Sequence, residues 1–392
     1  MLRLVSSVTI VQKTPYKPNE NESIERKKTF SFNFINEVEI FSSWEHFTDT
    51  AKITFPKKMY FTDENGVRTN FTGKNLYAGD TIPLIQRGDR ITINLGYHYN
   101  SKTTIQKEFE GYITAVFNTT PITFECEDLM YELKQIQAPI KTYYSNQWDV
   151  ESMINDMIKG KNTTIKVRQS IKTIIGDFIS GHETVAEVLA NLRKKSHLNS
   201  YLRGNELRCS SLVYYPEDVN ENTGQGKHIF SFQENIVEDN LQYQRKEDIN
   251  LHIRAYSVDK KELETGEVTK KGKPKTTNKR LEVLVPDDSI LTGETKTLYF
   301  FNIRSKEELK KEAEKKLNMF WFTGFRGKFT TFGLSSVRHG DHVKLIDKAS
   351  PERNGNYIVK SVRKTFGVNG YRQEIELDIL LDGINLKDIY AN

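Results

Sequence analysis

Cysteine is almost missing from this chain: Cys126 and Cys209 are the only two in 392 residues, and they lie far apart. They fit no metal-ligand spacing and argue against a disulfide framework, so a reducing compartment is the default reading. Long apolar runs are missing too. No stretch approaches the roughly 18–20 residues that a membrane-spanning helix needs. Residues 1–11 hold one basic residue and a short apolar run broken by serines, too short and polar for a secretory signal. Charge of one sign is also scarce. The 57 Lys and Arg against 52 Asp and Glu leave a net +5, which excludes the footprint of a dedicated nucleic-acid binder. The Gly-x-Ser-x-Gly elbow, the P-loop and His-Glu-x-x-His are all absent.

What the chain does have is β-forming side chains and a repeat. Its 18 Tyr and 22 Phe, with many Thr and Ile, favour strands. A hydrophobic content of 37% and a mean hydropathy of −0.60 describe a soluble, polar globular protein. The length suffices for two or three domains with real cores. The repeat begins at Gly88-Asp89-Arg90-Ile91-Thr92-Ile93-Asn94-Leu95-Gly96-Tyr97, followed by Phe109-Glu110-Gly111-Tyr112-Ile113-Thr114. It returns as Gly340-Asp341-His342-Val343-Lys344-Leu345, followed by Asn354-Gly355-Asn356-Tyr357-Ile358-Val359. Each copy is a Gly-Asp turn, an alternating strand, a variable hairpin, and a strand opening on Gly111 or Gly355. Each then runs into a further strand, over 121–125 and 371–379. A chain carrying one β-module twice can supply two similar subunits to a ring, so assembly is the first function to test.

Residues 1–29 read as an extended arm, with one short strand, Pro15, Pro18 and a charge run over 20–28. Residues 30–134 read as the first β-module. Phe30, Phe32 and Phe34 alternate with polar residues, and strands follow at 37–41 and 51–55. Residues 135–228 change period. Val150, Met153, Ile154, Met157 and Ile158 share one helix face, and Gly160 stops that helix. A second helix opens at Thr184 with Glu187 in capping-box spacing, and a hairpin turns at Gly204-Asn205. Residues 229–382 read as the second β-module. Within it, 259–280 is an exposed basic loop with little to bury. A helix begins at Ser305 with Leu309, Ala313 and Leu317 as its buried stripe. Residues 383–392 are a C-terminal tail. The last strand places Tyr371, Ile375, Leu377 and Ile379 on one side, and Arg372, Glu374, Glu376 and Asp378 on the other.

Candidate chemistry is thin. His339-Gly340-Asp341-His342 gathers metal-ligand types, but the Gly-Asp pair is explained by its turn and strand alternation parts the flanking side chains. Glu125-Cys126-Glu127-Asp128 clusters carboxylates, yet adjacency in sequence does not set two carboxyls face to face across a substrate. Gly324-Phe325-Arg326-Gly327 and Gly355-Asn356-Tyr357 precede no helix, so they read as turns. The basic loop reads as a solvated face or as a tether that orders on a partner. No catalytic, cofactor or metal residue is assigned.

The Gly88–Tyr97 run, the Phe109-x-Gly111-Tyr112-Ile113-Thr114 strand and the exit Glu127-Asp128-Leu129 resemble the first tube-like domain of phage tail hub proteins. These are the late-control D-like proteins, related to the N-terminal part of the type VI secretion spike protein VgrG. The segment His182-Glu183-Thr184-Val185-x-x-Val188-Leu189-x-x-Leu192, followed by Leu202-Arg203-Gly204-Asn205-Glu206-Leu207, resembles that family's insert. Phe232-x-Glu234-Asn235-Ile236-Val237-Glu238-Asp239-Asn240-Leu241 resembles the opening of its second tube-like domain. Gly324–Gly327 and Phe332-Gly333-Leu334 ahead of Gly340-Asp341 complete the resemblance, which spans about 30–382.

The resemblance implies a mainly β fold: two tube-like β-barrel domains from an internal duplication, flanking a small α+β domain. It implies a homotrimer forming a pseudo-hexameric ring between a tail tube protein and a spike or needle protein, beside other baseplate proteins. DNA or protein cargo would pass through the lumen, and no cofactor is implied. The particle would be a virion tail or an injection system, its chain made in the bacterial cytoplasm. The spike or lysozyme-like segment of longer relatives does not appear, so a separate spike or fibre would cap the ring. Glu374, Glu376 and Asp378 are the expected lumen or interface residues, an acidic wall that would repel DNA in transit. Two alternatives stay open: a tail-tip hydrolase using Glu125 and Asp128, or a glycan- or receptor-binding module using exposed Tyr and Trp. Trp44, Trp148 and Trp321 sit in apolar contexts, which favours core packing for them.

Overall fold

The structure is a computed structural model. It describes residues 2–382 apart from 57, 64, 73–81, 118, 170–172, 174, 176, 197, 211–226, 263–275, 288–292, 301–302, 304 and 334. The expected tail 383–392, most of the basic loop and Leu334 lie outside the described residues.

Period-two alternation sets the architecture. In strand Gly370–Leu380, Tyr371, Ile375, Leu377 and Ile379 are buried, while Arg372, Glu374, Glu376 and Asp378 are half-exposed. Strands of this kind hide one face and leave the other to water. Among the described residues they join in a 15-stranded sheet. Five strands of the first copy lie in the order Glu37–Ser43, Thr50–Phe55, Ile122–Glu127, Lys102–Phe117, Arg90–Tyr99. The second copy repeats that order as Ile236–Gln244, Gly324–Phe332, Gly370–Leu380, Gly355–Gly367, His342–Ile346.

The duplication holds at the level of single hydrogen bonds. Gly88 N–H donates to the Ile113 carbonyl at 2.8 Å, and Gly340 N–H to that of Val359 at 2.8 Å. Ile113 N–H returns a bond to Asp89, and Val359 N–H to Asp341, both at 2.9 Å. Both turn glycines have positive φ, +89° and +80°, where a Cβ is costly. Even a ladder irregularity is shared. Pairing slips between Ile113 and Ala115 in one copy and between Val359 and Ser361 in the other. These bonds correct one equivalence drawn from the sequence. Gly111 corresponds to Tyr357, so Gly355 lies two residues before its supposed counterpart. Gly111 answers a local demand of the first copy: a Cβ there would stand 2.0 Å from the Glu127 carbonyl oxygen.

Other expectations also change. The first sheet begins at Arg3, because Arg3–Val11 pairs with both Arg90–Tyr99 and Thr29–Phe32 and buries Val8 and Ile10. Residues 1–29 are therefore no free arm. The strand carrying Phe30 and Phe32 ends at Phe32, and Phe34 is exposed. The Gly324–Gly327 and Gly355–Tyr357 segments open strands Gly324–Phe332 and Gly355–Gly367, so they are not turns.

The second module also contains more than its repeat. The first copy joins its first two strands through residues 44–49, but the second does so through 245–323. That insertion forms a sheet of Thr276–Val285, Leu251–Glu262 and Glu294–Phe300. Helix Lys306–Phe320 packs on it, capped by the Ser305 hydroxyl, which accepts from Glu308 N–H at 3.0 Å. Leu309, Ala313 and Leu317 meet Leu251, Ile253 and Ala255 in a separate core. The expected loop thus starts as a hairpin whose strands reach Glu262 and restart at Thr276.

The α+β insert follows the sequence reading. Asp149 and Ser152 form a reciprocal cap on helix Val150–Ile158. Thr184 and Glu187 bond each other at the start of Val185–Ser196. Both helices pack on the hairpin Asn199–Arg203 and Glu206–Ser210 in one core.

Candidate assembly interface

The two modules of the chain are joined edge to edge. Strand Glu37–Ser43, the first of its copy, runs antiparallel to Gly355–Gly367, with Ser43 opposite Ser361 and Val38 opposite Phe366. The apolar core runs through this seam, for Phe366 and Tyr371 of the second module sit in the core of the first. Tyr97 donates its hydroxyl to the Tyr371 carbonyl at 2.7 Å. Each fully buried aromatic of this kind stabilises the join by about 1.5–3 kcal/mol.

Outside the seam lies a ladder of charge. Glu125 stands opposite Lys52, and Lys52 opposite Glu39. Glu39 bonds Arg363 across the seam at 3.0 Å, and Arg363 lies opposite Glu374. Lys328 is 3.6 Å from Glu374 and 3.8 Å from Glu376. Lys360 reaches Glu376 at 3.2 Å and Glu45 at 3.1 Å. Trp44 donates to Asp378 at 3.0 Å. Burial pushes the Glu376 carboxyl up, but the Ser361 hydroxyl and the Lys360 ammonium outweigh it and hold it below its ordinary value. The Glu374, Glu376 and Asp378 face is therefore a band of matched charge, which corrects the bare acidic wall expected from strand alternation.

The inner side of the seam holds buried ions. Lys364 of the second module pairs with Glu108 of the first, their side chains 5% and 1% exposed. The Ser336 hydroxyl donates to Glu108 at 2.7 Å. Nearby, a cavity of about 390 Å³ is lined by Asp49, Asp128, Arg203, His339 and Lys364. It lies where both modules and the insert meet. Asp128 accepts backbone N–H bonds from Asp49 and Met130. Burial pushes its carboxyl up to about 7. Burial and the nearby Asp128 raise Asp49 as well. Burial, then the Arg203 charge, lowers His339 to about 3, and among the described residues neither ring nitrogen has a hydrogen-bond partner, Asp49 lying 4.0 Å from Nδ1.

Each repeat aspartate is held by a partner from another element. Arg26 donates to both Asp89 oxygens at 2.9 and 2.8 Å. Arg203 of the insert pairs with Asp341, and His228 lies 3.5 Å from it. No signal in the local sequence marked Arg26, Arg203, Glu108 or Lys364, because their role lies in contacts distant in sequence. Glu125 and Asp128 are not brought together as an acid/base pair. Glu125 stands exposed on the sheet, while Asp128 is buried against backbone N–H groups. Among the described residues no group of three or more His, Cys, Asp or Glu is placed to hold a metal ion. Trp148 and Trp321 pack partly buried on the insert core and on the helix-on-sheet core.

No protein-family model matches the sequence, nor does any curated protein. Solved structures do match the fold. A tail protein from Neisseria meningitidis MC58 aligns with a TM-score of 0.54 at 13% identity, covering 97% of both chains. The 43 kDa tail protein of prophage MuSo2 from Shewanella oneidensis aligns at 0.53 and 11% identity, covering 95% of this chain and 97% of that one. A tandem β-module chain with an α+β insert is thus the class this molecule belongs to by fold. More narrowly, the chain shares its fold with these two tail proteins.

Proposed function

We propose that the chain is a structural hub: three copies close into a ring of six similar modules that joins a tail tube to a central spike or needle. The seam between Glu37–Ser43 and Gly355–Gly367 carries this reading. Two copies of one module already stand side by side in one sheet, the relation that a ring repeats. Three chains of two modules suit a six-fold tube on one side and a three-fold spike on the other. The tail-protein fold supports the same class of assembly.

The role is structural, without a catalytic step. The matched-charge face with Glu374, Glu376 and Asp378 lines the lumen, where DNA or protein passes in transit. Alternating charge keeps such a wall hydrated without a field of one sign to hold the cargo. The chain resides in the tail or baseplate of a phage or injection-system particle. Light scattering across concentration tests the reading. A species of three times the 45.5 kDa chain mass is expected. A monomer at every concentration, alone and with tube and spike proteins, refutes it.

A further inference from the structure

We propose that the cavity where the two modules and the insert meet binds a small oxyanion of the phosphate class, held by Arg338 and His339 of the second module and Arg203 of the insert. The site goes beyond the ring reading and does not depend on it, since it needs only the folded chain.

His339 is the first observation. Its side chain is 4% exposed and lines the cavity of about 390 Å³. Among the described residues neither ring nitrogen has a hydrogen-bond partner. Asp49 stands 4.0 Å from Nδ1, beyond hydrogen-bond reach. Tyr201 meets the ring edge to face, with centroids 5.3 Å apart. A buried donor and a buried acceptor left without partners both cost free energy, so a group from outside the chain is called for. The space far exceeds what one water molecule needs.

The wall around that ring carries a surplus of positive charge. Arg90, Lys107, Arg203, Arg338 and Lys364 line the cavity. Glu110 serves both Arg90 and Lys107, Glu108 serves Lys364, and Asp341 serves Arg203. Arg338 has no carboxylate within ion-pair distance among the described residues. Asp49 and Asp128 share the wall, and burial favours their uncharged, proton-bound forms. In that form they donate to an oxyanion rather than repel it. The surplus also acts on His339. After burial, the Arg203 charge does most to strip its proton, and Arg208 and Arg338 add to it against Asp341. An oxyanion beside the ring answers that field and accepts its N–H. Charge-assisted bonds of this kind are the strong ones, and the planar guanidinium fork suits paired oxygens. A metal cation does not fit, because among the described residues no three His, Cys, Asp or Glu are placed to hold one. Arg338 and Lys107 are exposed, which gives an anion a way in. Once bound, it ties the insert to the second module and stabilises their junction by mass action.

The test is titration calorimetry of the full chain with inorganic phosphate as the probe, in bis-Tris near pH 6 at ionic strength held constant with sodium chloride. One phosphate per chain is expected, with a dissociation constant below about 1 mM. Arg338→Gln, at an exposed position, should weaken it by at least about tenfold. His339→Phe, which keeps a ring in the same space, should do the same. Phosphate should also raise the melting temperature of the parent chain and leave that of Arg338→Gln unmoved. If His339→Phe does not fold, Arg338→Gln alone decides. Parent protein with a native circular dichroism spectrum and no saturable phosphate binding overturns the site. Saturable binding that Arg338→Gln leaves unchanged overturns it too, because the anion then sits elsewhere.

Discussion

Arg26 and Asp89 meet with side chains 1% and 0% exposed, so removing one partner strands the other charge in the interior. Arg26→Met is expected to cost about 3–5 kcal/mol, read from denaturant unfolding; a loss under about 1 kcal/mol would show that the pair holds nothing together. The carboxylate half of this pair was legible, because Gly-Asp announces its own turn. The arginine was not. It lies 63 residues away in sequence, inside a charge run that reads as solvated arm. Asp341 likewise owes its partner Arg203 to the insert. Titration at the junction cavity follows from burial. Asp128, raised to about 7, and Asp49 bind protons more tightly folded than unfolded. The Asp128 contribution is present at low pH and lost as pH rises through about 7, and the Asp49 contribution is likewise present at low pH and lost as pH rises. His339, lowered to about 3 from an ordinary 6.5, works oppositely, its contribution lost as pH falls through that window. Above the upper end of that window only the carboxylates act. Asp49→Asn keeps an oxygen for the Ser43 N–H and should lessen the fall in melting temperature as pH rises above the ordinary carboxylate range. An unchanged profile would mean that this carboxyl is already ionised there.

At the scale of elements, periodicity was enough to place the strands and helices that pack on one face. Val150 to Ile158, the Thr184 cap and the Ser305 helix all stand where their spacing put them. What periodicity left out was which sheet a strand joins. Strands Leu251–Glu262, Thr276–Val285 and Glu294–Phe300 are built of β-forming residues like the others, and nothing local says that they leave the main sheet to form a second layer under helix Lys306–Phe320. The pairing of Arg3–Val11 was missed for the same reason: its partner strand begins at Arg90. Gly111 sits where two backbones approach closely, beside the shared slip in the ladder. Gly111→Ala should destabilise the first module by about 1–3 kcal/mol through forced strand displacement, seen as a lower denaturant midpoint. A midpoint within error of the parent would show that the strand shifts freely. Ser305→Ala removes the helix cap and should cost about 1 kcal/mol; calorimetry that finds no change would remove the cap from the account.

For the whole molecule, the repeat was readable as a pattern and the seam was not, since a motif does not state which edges touch. The acidic strand shows this limit. Glu374, Glu376 and Asp378 were visible on one face, but Lys328, Lys360 and Trp44 arrive from other strands to match them. Exposed pairs of this kind are worth about 0–1 kcal/mol each. Neutral replacement, Glu374→Gln with Glu376→Gln and Asp378→Asn, should therefore leave the fold intact and impair cargo delivery by the particle at least tenfold. Delivery at the parental level by particles that carry the triple variant would remove this face from the lumen. The central claim is that the seam inside one chain is repeated between chains until a ring closes. The most direct measurement is electron-microscope imaging of the purified assembly. The account predicts six-lobed rings with an open centre, whose averages reduce to three-fold symmetry once the insertion at 245–323 is resolved. Open filaments, or compact particles without a central opening, would contradict it.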